Sequence, residues 1–97
     1  MVLAKVKDFL KELEINTGKL KLNGDKVVIN FKNSNDYQKA YEKLSKSDKV
    51  DLDIENVDVG EDGTHMVYLA DDYDIYLDAD YDNVIYTLTF QEVLGVK

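Results

Sequence analysis

Two segments in the first half of the chain repeat apolar residues three and four positions apart, as an amphipathic α-helix does. The first runs from Leu3 to about Glu14, and we expect Asn16-Thr17-Gly18 to end it, because glycine tolerates a left-handed cap. The second runs from about Asn35 to Ser45, with Asn33 or Ser34 as its N-cap. Its apolar stripe, which we expect to line the core, consists of Tyr37, Ala40, Tyr41 and Leu44.

Apolar and polar residues alternate in the remaining segments, which is the pattern of β-strands buried on one face only. Two short strands, Lys19 to Asn23 and Lys26 to Phe31, flank a hairpin signal at Asn23-Gly24. Four more strands follow between about 49 and 91, with turns at 60–63, 71–72 and 80–83. The residues that we expect to face the core in the first and last of these four strands are Val50, Leu52, Ile54, Val84, Tyr86, Leu88 and Phe90.

These elements predict a single α+β domain over residues 1–97, in the order α-β-β-α-β-β-β-β. We expect a mainly antiparallel sheet with both helices packed on one face, ending in an acidic C-terminal β-meander over about 49–91. Ninety-seven residues are too few for a second core. No apolar run is long enough for a membrane span or a signal peptide, and there is no cysteine, so we expect a cytoplasmic protein.

The charge is divided unevenly between the two halves of the chain. Residues 1–48 hold ten lysines and seven acids, a net charge of +3. Residues 49–97 hold two lysines, at the two ends of that stretch, and thirteen acids, a net charge of −11; the two halves sum to the −8 of the whole chain. A surface that serves solubility alone usually mixes both signs. The pattern therefore favours a functional anionic surface, with solubility as the alternative.

The acidic half is expected to place its carboxylates in rows, because strand residues two apart share a face at ~6.6–6.8 Å. One row would be Asp51, Asp53 and Glu55, and another Asp74, Asp78 and Asp80 with Tyr76 among them. Such carboxylates can pair with arginine, and tyrosine can stack on a guanidinium group. The predicted partner-binding residues are Asp51, Asp53, Glu55, Asp74, Tyr76, Asp78, Asp80 and Asp82.

In size, charge, lack of cysteine and its aspartate- and tyrosine-rich strands from Lys49 to Phe90, the chain resembles the small acidic inhibitors that phages use against host nucleases. These include anti-CRISPR and anti-restriction proteins and uracil-DNA glycosylase inhibitors, many of which mimic DNA. The resemblance implies an inhibitor that binds the basic nucleic-acid groove of an enzyme such as a CRISPR nuclease, inside the bacterial host. The alternative is an interaction domain or an immunity protein for a cationic toxin, with acidity serving mainly solubility.

Metal binding and catalysis are expected to be absent. Asp78, Asp80 and Asp82 match positions 1, 3 and 5 of an EF-hand loop, but Asn83 and Thr89 stand where glycine and glutamate belong. This departure favours a polar hairpin turn and no cofactor.

The single histidine, His65, alternates in phase with Val67 and Leu69, which predicts a structural place on or beside the core face. No nucleophile and base can be assembled around it, so we expect no enzyme. The lysines of the first half alternate with acids and are expected to be solvated rather than to bind nucleic acid.

Overall fold

The computed structural model describes residues 2–15 and 19–93, with side chains at 5–15 and 20–93. The predicted order of elements is confirmed. No helix in these ranges is long and apolar enough to cross a lipid bilayer. The elements are α1 (Val2–Glu12), β1 (Lys19–Asn23), β2 (Lys26–Phe31), α2 (Ser34–Lys46), β3 (Asp51–Val59), β4 (Gly63–Leu69), β5 (Tyr73–Asp80) and β6 (Ile85–Glu92).

The six strands form one sheet in the order β1-β2-β6-β5-β4-β3, with every neighbouring pair antiparallel. Strands β3 to β6 pair consecutively along the sheet as a four-stranded meander. Strand β2 is next to the β1 edge and lies beside β6, and α2 therefore carries the chain from that side of the sheet to the opposite edge at β3. The two edges of the sheet are the lysine-bearing β1 and the aspartate-bearing β3.

Both helices pack on one face of the sheet, as expected. Helix α1 buries Val6 and Leu10 there, and α2 contacts β2 and β6. The completely buried centre of the sheet consists of Val27, Ile29, Ile75, Leu77, Leu88 and Phe90. We call the other side of the sheet the open face, because the buried cluster that contains both helices lies wholly on the first side.

Helix α1 ends at a left-handed residue, but that residue is Glu14 rather than a glycine. Glu14 has a φ of 57°, its N–H donates to Lys11 O at 3.1 Å, and the N–H of Ile15 donates to Leu10 O at 2.9 Å. These two bonds form a Schellman cap, whose usual apolar contact is supplied by the buried Leu10 and Ile15. The predicted terminator, residues 16–18, lies outside the described residues.

Helix α2 begins as predicted, with Asn33 as its N-cap. The Asn33 side chain accepts a hydrogen bond from Asp36 N at 2.9 Å. Tyr37 is buried, which confirms its place in the core, whereas the same expectation for Tyr41 is wrong because Tyr41 is 41% exposed. The buried residues of α2 form a single narrow stripe, Tyr37, Ala40 and Leu44.

The ends of the meander differ from the sequence-based expectation. Val50 is buried, but Leu52 and Ile54 are 43% and 81% exposed, because β3 is an edge strand beyond the reach of the helices and its pairing with β4 is interrupted between Asp53 and Asp58. Val84 does not lie in β6: it is exposed in the turn before that strand, with a φ of 54°. Tyr86, Leu88 and Phe90 are buried as predicted.

Candidate functional site

Strand register brings aspartates from β3 and β5 onto the open face. Paired residues of neighbouring strands point to the same side of a sheet. Three rows of paired residues cross β3, β4 and β5, and each row takes one residue from each of these strands. The rows are Asp51–Leu69–Asp74, Asp53–Val67–Tyr76 and Asp58–His65–Asp78, and Asp80 follows in the strand phase of Asp78. We call the six side chains Asp51, Asp53, Asp58, Asp74, Asp78 and Asp80 the acidic face.

The acidic face consists of two lines of carboxylates with strand β4 between them. Two inter-strand spacings separate β3 from β5, about 9.5 Å, and neighbours two apart along a strand lie about 6.7 Å apart. In water each pair at that shorter distance repels by about 0.6 kcal/mol before salt screening. Folding nevertheless assembles these charges on one surface, and the result is a strongly negative patch on a stiff sheet.

The β4 side chains between the two lines include His65, whose expected place near the core is wrong. Its Nδ1 contacts the Asp78 carboxylate, and its ring stacks on Tyr76 with centroids 6.2 Å apart. The core positions of β4 are Met66 and Tyr68 instead. The phase was misjudged because the core side of β4 carries polar atoms that find partners there: the hydroxyls of Tyr68 and Ser45 lie 3.3 Å apart.

Neutral donors hold two of the carboxylates in place. Asp80 accepts from the backbone N–H and the side-chain amide of Asn83, at 3.2 and 2.8 Å, and these bonds hold the pKa of Asp80 below its ordinary value. Asp53 accepts from the Glu55 backbone N–H at 3.2 Å and from the Asn56 amide at 2.6 Å. The carboxylates are thereby oriented without losing their charge.

Lysines do not neutralise the acidic face among the described side chains. Lys43 pairs with Glu14 at 3.3 Å and Lys49 pairs with Glu12, so both reach helix α1 and its cap instead. The basic side chain that contacts the acidic face within these ranges is His65, whose ring nitrogen lies against Asp78 and forms an ion pair with it only when the ring is protonated. The open face does hold lysines, but at its other edge, where register places Lys21 on β1 and Lys26 on β2.

Tyr76 lies at the centre of the acidic face. It is half-buried, stacked on His65 and paired in register with Val67, itself only 6% exposed. Burial, and then the neighbouring Asp74 carboxylate, raise the pKa of Tyr76, so its hydroxyl stays protonated at neutral pH. The centre of the face is therefore a neutral aromatic and apolar patch inside a ring of negative charge.

The structure brings six of the eight predicted partner-binding residues together. Asp51, Asp53, Asp74, Tyr76, Asp78 and Asp80 share the open face. Glu55 falls in the irregular stretch of β3, so the expected row of three is broken after Asp53, and Asp82 lies in the turn after β5. Asp58 belongs to the acidic face although it is not among the residues predicted from the sequence; the alternation Val57-Asp58-Val59 was the available signal that β3 extends this far.

The negative surface continues past one end of the sheet into a groove of about 580 Å³. A backbone hydrogen bond of 2.9 Å from Tyr81 N to Asp62 O joins the two loops that form it. Its acidic lining residues are Asp58, Glu61, Asp62, Asp80 and Asp82. The groove adds three carboxylates beside the six of the acidic face.

Metal-binding geometry is not found in the part of the chain that the structure describes: no three His, Asp or Glu side chains there are grouped to hold an ion. Comparison of the chain with protein-family models, with curated proteins and with solved structures finds no match. Function has to be argued from the acidic face itself.

Proposed function

We propose that this protein is a non-catalytic inhibitor that binds the basic nucleic-acid groove of an enzyme, with a CRISPR nuclease as the specific case. The carboxylates of the acidic face would take the places that phosphates occupy in such a groove. The observation that carries the proposal is the shared orientation of six aspartates on β3 and β5. Nucleic-acid-binding grooves are lined by lysine and arginine, which pair with carboxylate as well as with phosphate.

The rigidity of the acidic face supports this function. Its aspartates stand on β3 and β5, which are both hydrogen-bonded to β4, and Asp53 and Asp80 are fixed further by neighbouring amides. A surface that is already ordered loses little conformational entropy on binding, so more of the electrostatic attraction is left as affinity. The unneutralised charge also speeds the encounter with a cationic surface by electrostatic steering.

The remaining predicted residues border this surface. Asp82 lines the groove beyond β5, and the exposed Glu55 extends the negative charge along the sheet edge. Tyr76 presents part of its ring between the carboxylates, where an arginine of the partner can stack on it. Protein–protein contacts of this kind rely on a desolvated aromatic centre with charges around it.

Charge reversal tests the proposal. The variant Asp74→Lys, Asp78→Lys, Asp80→Lys is compared with a control of equal charge change on the helical side, Asp8→Lys, Glu14→Lys, Glu42→Lys, whose positions are all exposed. Cleavage of target duplex by a panel of purified CRISPR nucleases is measured with each protein, at low and high salt. The sheet variant should lose at least about tenfold in inhibition, while the control keeps most of it.

Salt and competition give the second readout. Binding should weaken steeply as salt rises, and duplex DNA or guide RNA should compete with the protein for the nuclease. Equal loss of inhibition in the two triple variants would show that only net charge matters. Full inhibition by the sheet variant would contradict the proposal.

A second candidate, an interaction domain that binds through apolar contacts, is favoured by one observation. Edge strand β3 leaves Leu52, Ile54 and Val59 exposed by 43%, 81% and 70%. For that function the sheet charge reversal would be harmless and Ile54→Ser would abolish partner binding. The sheet triple variant and Ile54→Ser together thus separate the two functions.

A further inference from the structure

A second concavity, of about 790 Å³, lies at the other end of the sheet from the acidic groove. It opens between helix α1, the segment that leads into β3, and the tight turn that joins β4 to β5. We call it the end cleft; its lining includes Phe9, Asp48, Asp51, Leu69, Asp72 and Tyr73. Two of these residues, Asp51 and Leu69, also belong to the first row of the open face, so the cleft is continuous with the acidic face.

The aromatic wall of the end cleft is held rigidly by the core. Phe9 and Tyr73 both pack edge-on against the fully buried Phe90, with centroids 5.7 and 5.9 Å away. Leu69, which is 42% exposed, adds an aliphatic surface beside them. The cleft therefore presents a preformed apolar wall to which an alkyl chain can bind.

Tyr73 brings a hydroxyl group to this wall. The residue is only 5% exposed, and among the residues that the structure describes its hydroxyl has no hydrogen-bond partner. That hydroxyl is nevertheless not sealed in the core, since no polar side-chain atom there is both fully buried and unpaired. Tyr73 lines the cleft and its hydroxyl keeps some exposure, so the lone pairs of that oxygen can accept hydrogen bonds from a ligand.

The charge of the rim selects the sign of the ligand. Asp48, Asp51 and Asp72 surround the opening, and the one lysine of the lining, Lys49, is already paired with Glu12. A ligand that donates hydrogen bonds, carries positive charge and has an aliphatic stem would satisfy the wall, the hydroxyl and the rim together. An arginine side chain has these three properties, and its planar guanidinium offers five donors that can reach several acceptors at once.

We propose that the end cleft is a socket for an arginine side chain of the basic partner. The stem would lie on Leu69 and Phe9, and the guanidinium would donate to the Tyr73 oxygen and to the carboxylates of Asp51 and Asp72. This inference rests on the proposed function, because the arginine belongs to a protein already lying on the acidic face. It adds a specific anchor to what would otherwise be a diffuse electrostatic contact.

Binding of small probes tests the socket without the partner. The peptide acetyl-Gly-Arg-Gly-amide is titrated into the isotopically labelled protein and followed by NMR, beside the same peptide with citrulline, the neutral isostere of arginine. The arginine peptide should shift the resonances of Phe9, Leu69 and Tyr73, and citrulline should not. Tyr73→Phe should weaken binding of the arginine peptide about tenfold, the effect of one hydrogen bond to a charged group. Tyr86→Phe should leave binding unchanged: Tyr86 is 7% exposed and lies near the end of β6 that is remote from Tyr73.

Several outcomes would overturn the socket. They are equal binding of the citrulline peptide, binding that Tyr73→Phe does not weaken, or shifts confined to the middle of the acidic face. Tighter occupancy of the cleft by spermidine than by the arginine peptide would assign it to free polyamines instead. Nuclease inhibition that depends on Asp74, Asp78 and Asp80 but not on Tyr73 would leave the proposed function standing and remove the anchor alone.

Discussion

A Cβ atom on Gly63 would lie 2.2 Å from the carbonyl oxygen of Ala79, so these two residues set how closely β4 and β5 approach at the end of their ladder. Gly63 pairs with Asp80, and the close approach fixes that end of the acidic face. Any larger side chain at 63 has to push the two strands apart, because the obstructing atom is backbone.

Gly63→Ala is therefore expected to destabilise the protein by about 1–3 kcal/mol, the usual cost of overpacking. Gly60→Ala is the matched control: Gly60 lies three residues earlier in the loop that leads into β4, its φ is not in the left-handed region, and the nearest contact of an added Cβ would be 3.7 Å away. Urea unfolding of both variants measures the difference. Equal stability of the two would show that β4 can slide to admit a methyl group.

Val84 is a stability weak point, because a β-branched residue in the left-handed region is strained by about 1–2 kcal/mol. Its side chain is 63% exposed, so little packing is lost when it is replaced. Val84→Gly and Val84→Asn should each raise the thermal midpoint. Ile85→Gly, at an exposed neighbouring position within β6, should lower the thermal midpoint. If the two Val84 variants also lower the thermal midpoint, the Val84 side chain stabilises the turn.

The N-cap of α2 should make a measurable contribution to the free energy of unfolding. Asn33→Ala removes the acceptor for Asp36 N and should cost about 1 kcal/mol. Asn33→Asp should cost far less, because a carboxylate caps equally well and suits the helix dipole. Asn35→Ala, at the second residue of the helix, serves as the control in chemical denaturation.

Asp80 should contribute stability that disappears in acid. Its folded pKa is lowered by the Asn83 bonds, so the contribution is fully present above the unfolded pKa, about 4. It is lost as pH falls below that value and through the folded pKa, because the unfolded chain then binds the proton first. Asn83→Ala keeps the Asp80 carboxylate and removes its side-chain amide donor. The free energy of unfolding of this variant should therefore fall less steeply from neutral pH to acid than that of the unmodified protein. An unchanged slope in denaturation curves would contradict this.

Repulsion within the acidic face should be visible as a salt effect. Asp74→Asn removes one charge of the face and should stabilise the protein by a few tenths of a kcal/mol at low ionic strength. The gain should shrink as salt is added, because exposed charges are screened beyond about 10 Å at 0.1 M. Glu42→Gln, at an exposed position of α2, is the control and should change little.

Periodicity was sufficient to locate most elements of this fold. The alternation of Tyr86, Leu88 and Phe90 marked β6, and Asn33, three residues before Asp36, marked the start of α2. Periodicity failed where tertiary packing decided the outcome. The phase of β4 depended on hydroxyls that find partners inside the core, and Leu52 became exposed because the helices do not extend over the edge strand.

The candidate site was only partly accessible to the same reasoning. A two-residue period predicts that Asp78 and Asp80 share a face, since both belong to one strand. It cannot predict that Asp53 joins them, because the order β5-β4-β3 and the register of those strands are tertiary facts. The end cleft was missed entirely, as it needs Phe9 of α1 to meet Tyr73 beside Phe90.

The opposite placement of lysines and aspartates on the open face gives the sheet an in-plane polarity. Lys21 and Lys26 lie near one edge and the acidic face near the other, across a sheet about 24 Å wide. The field of a cationic surface exerts a torque on a molecule with such a charge separation. A basic partner of the kind proposed above would thus turn the β3 edge of this molecule towards itself before contact, which favours encounters that begin at the acidic face.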